Sequence, residues 1–162
     1  ILQKKQVGEI VIKGDTVIKQ YAYNTKVSQS SFSKGWFKTG DLGLIDEDGY
    51  IKVTGRIKEI INKGGEKISP KEIDDVLQEM DAVEQVVCFP FNSKKYGEEI
   101  GCAIVLKENM NISEKDLTEY ANRYLAKFKI PSKFIFLDEI PKGPTGKLQR
   151  IGLSKSLGLD ND

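Results

Sequence analysis

The spacing of apolar residues changes partway along this 162-residue chain, and that change constrains its fold more than any other feature. Before residue 58 the chain has short β-branched runs such as Gly8 to Gly14. The segment Leu44 to Val53 predicts a hairpin, because Asp48-Gly49 supplies the positive φ that a tight turn requires. From Ser69 onwards, apolar residues recur at helical spacing. The sequence therefore predicts an α+β protein with a β-rich first part and a boundary near Lys58.

The second part is predicted to combine helices with strands. Ser69-Pro70-Lys71-Glu72 predicts a helix start with a capping box and a proline at the first helical position. A second helix is predicted to begin at Ser113, where apolar residues again share one face. Strands are predicted at Gln85 to Phe89, Gly101 to Leu106 and Lys133 to Leu137.

The composition excludes several classes of enzyme. The chain has no histidine, so it cannot form a Ser-His-Asp triad, a Cys-His nucleophile pair or the HExxH helix of a metalloprotease. Its two cysteines, Cys88 and Cys102, match no zinc-ligand or CxxC spacing, and their apolar surroundings predict buried packing residues. We therefore expect no metal site, no disulfide framework and a cytoplasmic location.

The chain has 25 basic and 24 acidic residues, and this balance gives no general attraction for nucleic acid or for an anionic membrane surface. No apolar run is long enough to span a membrane. The chain begins at Ile1 rather than Met, and its start lacks the apolar core of a signal peptide. We therefore expect a fragment of a longer protein.

Four short stretches are richer in glycine and charge than ordinary packing elements. In the first, Trp36 to Leu42, Asp41 follows a glycine and could accept the hydroxyl groups of a ribose, although spacing alone favours an Asx-turn that ends a strand. In the second, Thr54 to Glu59, Arg56 offers a fork of donors for phosphate or ribose oxygens. A surface salt bridge between Arg56 and Glu59 is the simpler alternative.

The third stretch, Asn62 to Pro70, has two adjacent glycines, Gly64-Gly65, which could line a narrow channel or form a plain loop before a helix. The fourth, Pro141 to Arg150, holds Lys147 in a turn constrained by proline and glycine. It is not a Walker loop, because Leu148 stands where a magnesium-binding Ser or Thr is required. Such a turn can present an ammonium group to an anion, or it can be a solvated loop.

In order, the four stretches read Trp-Phe-x-Thr-Gly-Asp-Leu, Gly-Arg-Ile-Lys-Glu, Gly-Gly-Glu-Lys-Ile-x-Pro and Pro-x-x-x-x-Gly-Lys-x-x-Arg. That series, which covers nearly the whole chain, resembles the C-terminal part of the adenylate-forming enzymes, which include acyl-CoA synthetases, peptide-synthetase adenylation domains and firefly luciferase. Members activate a carboxylic acid with ATP, and most then transfer the acyl group to a thiol. The resemblance implies that residues 1–57 are the last β subdomain of a large N-terminal domain. It implies that residues 58–162 are a small C-terminal lid, which rotates between the two half-reactions.

The resemblance also implies a role for each matching residue. Asp41 matches the aspartate that holds the ribose hydroxyls, and Arg56 matches an arginine that contacts the nucleotide. Lys58 matches the hinge residue, and Gly64-Gly65 matches the loop that lines the CoA tunnel. Lys147 matches the catalytic lysine of adenylation. ATP, AMP and CoA are the expected ligands, and Mg²⁺ is expected with ATP but not on this part of the enzyme.

A further implication is that this chain is inactive alone and works with the missing N-terminal domain, which carries the phosphate loop and the acid pocket. A CoA ligase for medium or small organic acids is favoured. Four alternatives stay open: an enzyme that loads a carrier-protein phosphopantetheine, a non-catalytic interaction module with the lid fold, a nucleotide- or CoA-binding domain of another lineage, and a luciferase-type oxygenase.

Overall fold

The computed structural model describes residues 2–22, 25–143 and 146–159, and for residues 25–27 only the backbone. The chain divides into two compact units, Ile1–Lys58 and Glu59–Asp162. A single 3-10 turn, Ile57–Glu59, spans their junction. Both units contain strands and helices in separate segments, so the predicted α+β class is confirmed.

The first unit is built on an antiparallel sheet in which the third strand pairs with each of the other three. Its elements are β1 (Gly8–Ile12), α1 (Thr25–Ser31), β2 (Phe32–Ser33), β3 (Trp36–Ile45) and β4 (Ile51–Arg56). The predicted hairpin joins β3 to β4. The amide of Asp46 donates to the carbonyl of Tyr50, and Gly49 has a φ of +92°. The Asp-Gly signal is therefore confirmed.

The second unit is built around one long hairpin. Its elements are β5 (Ile61–Lys63), β6 (Glu66–Ile68), α2 (Pro70–Gln78), β7 (Val83–Ser93), β8 (Gly97–Leu106), α3 (Glu114–Tyr124), a 3-10 turn (Lys127–Lys129), β9 (Lys133–Phe136) and α4 (Leu153–Ser156). Strand β8 pairs antiparallel with β7 and β5 and parallel with β9. None of the helices in the described part has the length and apolar composition needed to span a bilayer.

The hairpin β7–β8 has buried apolar side chains on both faces. Successive side chains of a strand point to opposite sides, and in these two strands both sets are apolar. One face packs against α2 and α3, with Ile73 and Leu117 fully buried. The other face supports the C-terminal segment of the chain. Its buried cluster is Val87, Phe89, Ala103, Val105, Ile140 and Leu153. The sheet thus separates α2 and α3 from the segment that carries Lys147.

The predicted capping box at the start of α2 is wrong. Ser69 stands at the N-cap, but its side chain makes no capping hydrogen bond. Glu72 instead binds Lys129, with Nζ 2.6 Å from Oε1. The carboxylate that a capping box would direct to the backbone of Ser69 is therefore paired with a lysine distant in sequence. The box occurs in α3, where Ser113 and Asp116 exchange hydrogen bonds.

The expectation of no disulfide is also wrong, because Cys88 and Cys102 are joined. The two residues lie directly opposite each other on β7 and β8, with a Cα–Cα distance of 4.0 Å. Their predicted burial is confirmed, since both are 0% exposed. Local spacing could not indicate the bond, because strand register brings the cysteines together.

Candidate functional site

In the first unit, Asp41 and Arg56 form an ion pair. They occupy opposite positions on β3 and β4, and Nε of Arg56 donates to Oδ1 of Asp41 at 2.6 Å. The Asp41 side chain is 32% exposed and that of Arg56 is 60% exposed. A polar ligand can therefore reach a carboxylate acceptor and guanidinium donors at one place. The alternative partner of Arg56 suggested by the sequence, Glu59, forms its ion pair with Arg150.

Asp41 is held by its own strand rather than by an Asx-turn at a strand end. The hydroxyl of Thr39 accepts a hydrogen bond from the Asp41 amide at 3.0 Å and donates to the carbonyl of Ile10 at 2.8 Å. Gly40, with a φ of +74°, directs its amide to Oε1 of Glu9 at 3.3 Å. These contacts hold the two residues before Asp41 against β1.

In the second unit, Gly64 and Gly65 form the two-residue turn between β5 and β6. Their φ values are +59° and +95°, a combination of two positive values that favours glycine at both positions of a hairpin turn. The amide of Gly64 donates to the carbonyl of Tyr96 at 2.8 Å, and a Cβ at Gly64 would lie 3.2 Å from the Tyr96 ring. A Cβ at Gly65 would meet nothing within 4 Å. Gly64 is therefore packed against Tyr96, whereas the space around Gly65 is open.

The glycine turn is anchored to β8 by charged groups. Nζ of Lys63 lies 2.5 Å from Oε1 of Glu99, and the two side chains are only 13% and 12% exposed. The amide of Asn62 donates to Oε2 of Glu98 at 2.6 Å. A buried ion pair is strongly destabilising to break, so these contacts hold the turn in place.

Lys147 is exposed and lies in a chain reversal of the C-terminal segment. The amide of Gly143 donates to the Lys147 carbonyl at 2.8 Å, and the Gly146 amide donates to the Gly143 carbonyl at 2.9 Å. Pro144 and Thr145, which belong to the predicted lysine turn, lie outside the described residues. Within the described residues, the Lys147 ammonium group pairs with no carboxylate.

A second lysine of this segment is paired. Nζ of Lys142 lies 2.8 Å from Oε1 of Glu139. This hydrogen bond and the accompanying attraction raise the pKa of Lys142 and lower the pKa of Glu139. The charge of Lys142 is therefore compensated locally, whereas Lys147 has no carboxylate partner in the described part of the chain.

Arg150 occupies a site that the sequence did not indicate. Its Nε lies 2.9 Å from Oε2 of Glu59, its Nη2 lies 2.6 Å from Oδ2 of Asp74, and its Nη1 donates to the Cys88 carbonyl. The Arg150 side chain is 14% exposed. The motif at 141–150 includes Arg150, but its carboxylate partners are 91 and 76 positions away, so no local pattern could identify them.

The Arg150 cluster shifts the titration of two of its members. Burial lowers the pKa of the Arg150 guanidinium, but the attraction of Asp74 and Glu59 outweighs burial and raises it above its usual value. Burial raises the pKa of the Asp74 carboxyl, and its contacts with Arg150 oppose that rise. Arg150 is thus charged in any ordinary buffer.

Lys58, the predicted hinge, is exposed and lies in the 3-10 turn as the last residue of the first unit. Asp41 and Arg56 belong to the first unit, whereas the glycine turn and Lys147 belong to the second. The described segments contain no group of three or more His, Cys, Asp or Glu side chains that could hold a metal ion.

Comparison with known proteins matches residues 72–147 to a family described as the AMP-binding enzyme C-terminal domain. The chain is 44% identical over 150 residues to an oxalate–CoA ligase of Arabidopsis thaliana, covering 93% of this chain and 29% of that protein. It is 38% identical to a long-chain-fatty-acid–CoA ligase of Mycobacterium tuberculosis, covering 94% and 30%.

Solved structures give the same result. The o-succinylbenzoate CoA synthetase of Bacillus subtilis, in complex with its acyl-adenylate intermediate, superposes with a TM-score of 0.85 at 38% identity. The match covers 92% of this chain and 30% of that protein. An amide bond synthetase of Marinactinospora thermotolerans, at 24% identity and a TM-score of 0.91, shares the fold. The chain spans about three tenths of the length of the relatives it matches.

Proposed function

Because this chain belongs to the AMP-binding enzymes, of which it is a C-terminal part, we propose that it completes an ATP-dependent, AMP-forming acid–CoA ligase. The ligase adenylates a carboxylic acid and transfers the acyl group to CoA. The first unit is the last β subdomain of a large N-terminal domain, which supplies the acid pocket. The second unit is the lid, and Lys58 is the hinge between them.

The observation that carries this proposal is the contact between Asp41 and Arg56. The two residues come from separate motifs, 15 positions apart, and they meet on adjacent strands with their charged groups 2.6 Å apart. Asp41 accepts hydrogen bonds from the ribose hydroxyls of the nucleotide, and Arg56 donates to its oxygens. Since both side chains are partly exposed, the nucleotide can bind without unfolding the strand pair.

Lys147 supplies the cation of adenylation. A carboxylate oxygen of the acid attacks the α-phosphorus of ATP, the bond to pyrophosphate breaks, and negative charge develops on the leaving group. An ammonium group placed there stabilises the transition state more than the ground state. Lysine suits this role because it acts as a point charge without transferring a proton. The exposed, unpaired position of Lys147 among the described residues supports this assignment.

Gly64 and Gly65 line the tunnel through which the pantetheine thiol of CoA reaches the acyl-adenylate. The open space at Gly65 supports this role, because a Cβ there would meet no described atom within 4 Å. We assign Mg²⁺, which accompanies ATP, to the phosphates and the remainder of the ligase.

The test is ATP–pyrophosphate exchange by the full-length ligase across a panel of carboxylic acids. We expect exchange with at least one acid, and Lys147→Ala lowers it by about 10²-fold, as loss of one preorganised charge contact does. Thioester formation from supplied acyl-AMP is expected to be retained. Lys155→Ala, which removes an exposed lysine of α4, is the matched control and should leave both half-reactions unchanged.

Each outcome bears on a different part of the proposal. Exchange that survives Lys147→Ala would remove the role of Lys147 but keep the ligase. Equal loss of both half-reactions would show that Lys147 does not act in adenylation specifically. Absence of both exchange and thioester formation with every acid would contradict the ligase itself.

A further inference from the structure

The turn that carries Lys147 is exposed, but the residues at its two ends, Ile140 and Arg150, are largely enclosed. Ile140 is 0% exposed and packs with Phe89 on one face of the β7–β8 hairpin, which fixes the start of the turn. The residues described between 141 and 149 are exposed, apart from the partly exposed Gly143. Arg150 is the first side chain after the turn that is largely enclosed. The position of Lys147 therefore depends on how these two ends are held.

Arg150 holds its end through three separate elements of the second unit. Glu59 is the first residue of that unit, Asp74 lies in α2, and Cys88 lies in β7. The guanidinium reaches all three, through Nε, Nη2 and Nη1. A planar fork of donors can bind in three directions at once, which the single ammonium group of lysine cannot reproduce with the same geometry.

Both backbone polar groups of Cys88 are bound by the Asp74–Arg150 pair. The Asp74 carboxylate accepts the Cys88 amide at 2.7 Å, while Arg150 donates to the Cys88 carbonyl. Within the described residues, β7 has a strand neighbour only on the side of β8. The Asp74–Arg150 pair therefore satisfies backbone groups on the open side of β7, where a further strand would otherwise bind them.

We propose that Arg150 is a positioning residue for Lys147, which ties the base of the lysine turn to Glu59, the residue next to the hinge. The proposal rests on the adenylation role of Lys147. When the lid rotates about Lys58, the Glu59–Arg150 contact makes the lysine turn move together with the residue next to the hinge. Lys147 therefore reaches the α-phosphate in a fixed geometry. Misplacing a reacting charge by about 1 Å is enough to cost about 10²-fold in rate.

The glycine turn does not share this anchor. Gly64 is held by Tyr96, and Lys63 is held by Glu99 on β8. Loss of Arg150 should therefore disturb the adenylation geometry and leave the thioester-forming surface intact. This separation distinguishes a positioning role from a purely structural one.

The experiment compares Arg150→Met and Arg150→Lys with the wild type in the full-length ligase, and Arg123→Met serves as the matched control on the exposed side of α3. The first readout is hydrogen exchange of the turn amides, which include Gly143, Gly146 and Gln149. The second is the rate of each half-reaction, with pyrophosphate exchange reporting adenylation and supplied acyl-AMP reporting thioester formation.

We expect Arg150→Met to speed exchange of the turn amides and to lower adenylation by about 10²-fold, with thioester formation within about twofold of wild type. Arg150→Lys should show the same split to a smaller degree, and it provides the test if the methionine variant does not fold. Unchanged turn amides in both variants would overturn the proposal, as would equal loss of the two half-reactions. Faster turn exchange in a protein whose wild type forms no adenylate would refute the ligase function but retain Arg150 as the anchor of the turn.

Discussion

Asp41 and Arg56 face each other across β3 and β4, and a 2.6 Å contact joins Oδ1 of Asp41 to Nε of Arg56. Each group therefore compensates the charge of the other. A nucleotide that binds here must share both groups with this existing ion pair. Its ribose hydroxyls can donate to the carboxylate while its oxygens accept from the guanidinium.

This relationship predicts that Arg56→Lys weakens ATP binding more than it slows chemistry. A hydrogen bond to a charged group contributes about 1.5–3 kcal/mol, so the KM for ATP should rise roughly 10- to 100-fold. Steady-state kinetics of the full-length ligase at saturating acid and CoA provide the measurement. Lys52→Met, on the same strand and also exposed, should leave the KM unchanged. An unchanged KM in Arg56→Lys would contradict the nucleotide role.

The glycine turn predicts an effect on the second half-reaction alone. Gly65→Leu places a side chain in open space at a φ of +95°, so the variant should fold while the proposed CoA tunnel is obstructed. Thioester formation from acyl-AMP should fall, and pyrophosphate exchange should persist. Gly49→Leu is the control, because it carries the same backbone strain at a φ of +92° in the hairpin of the first unit. Equal effects of the two substitutions on thioester formation would remove Gly65 from the tunnel.

The disulfide between Cys88 and Cys102 predicts a redox-dependent stability. The bond links residues 14 positions apart, so its reduction should lower the free energy of unfolding by about 3 kcal/mol. Urea unfolding, followed by signals from the second unit with and without a strong reductant, measures this difference in the free energy of unfolding. Cys88→Ala/Cys102→Ala should unfold at the same urea concentration in both buffers. Two titratable thiols in the denatured, unreduced protein would contradict the bond.

The capping box of α3 predicts a pH-dependent difference in melting temperature. Hydrogen bonds from the Ser113 hydroxyl and amide lower the pKa of Asp116 below its ordinary value of 3.8. A carboxyl with a depressed pKa stabilises the folded state above its unfolded pKa, and the effect is lost as the pH falls through the folded value. Asp116→Ala should therefore melt below wild type at pH 7, and the gap should narrow below pH 3.8. A gap that is constant from neutral to acid pH would contradict this account.

Local signals were sufficient wherever both interacting groups lie close together in the sequence. The Asp48-Gly49 turn was predictable because its φ requirement belongs to the turn itself. The helix starts near Ser69 and Ser113 were predictable from proline, hydroxyl and apolar spacing, even though the predicted cap of the first was wrong. The adjacent glycines Gly64-Gly65 indicated a channel-lining segment or a plain loop, whereas the structure places them in a hairpin turn between two short strands that were not predicted.

The sequence alone determined the α+β class, the order of the motifs and the residues that resemble a nucleotide and acyl-transfer site. Only the tertiary structure decided which side chains distant in sequence meet. It pairs Asp41 with Arg56, Glu72 with Lys129, and Cys88 with Cys102. It also gathers Glu59 and Asp74 around Arg150. These choices depend on strand register and on the packing of elements distant in sequence, and no local pattern of residues encodes either one.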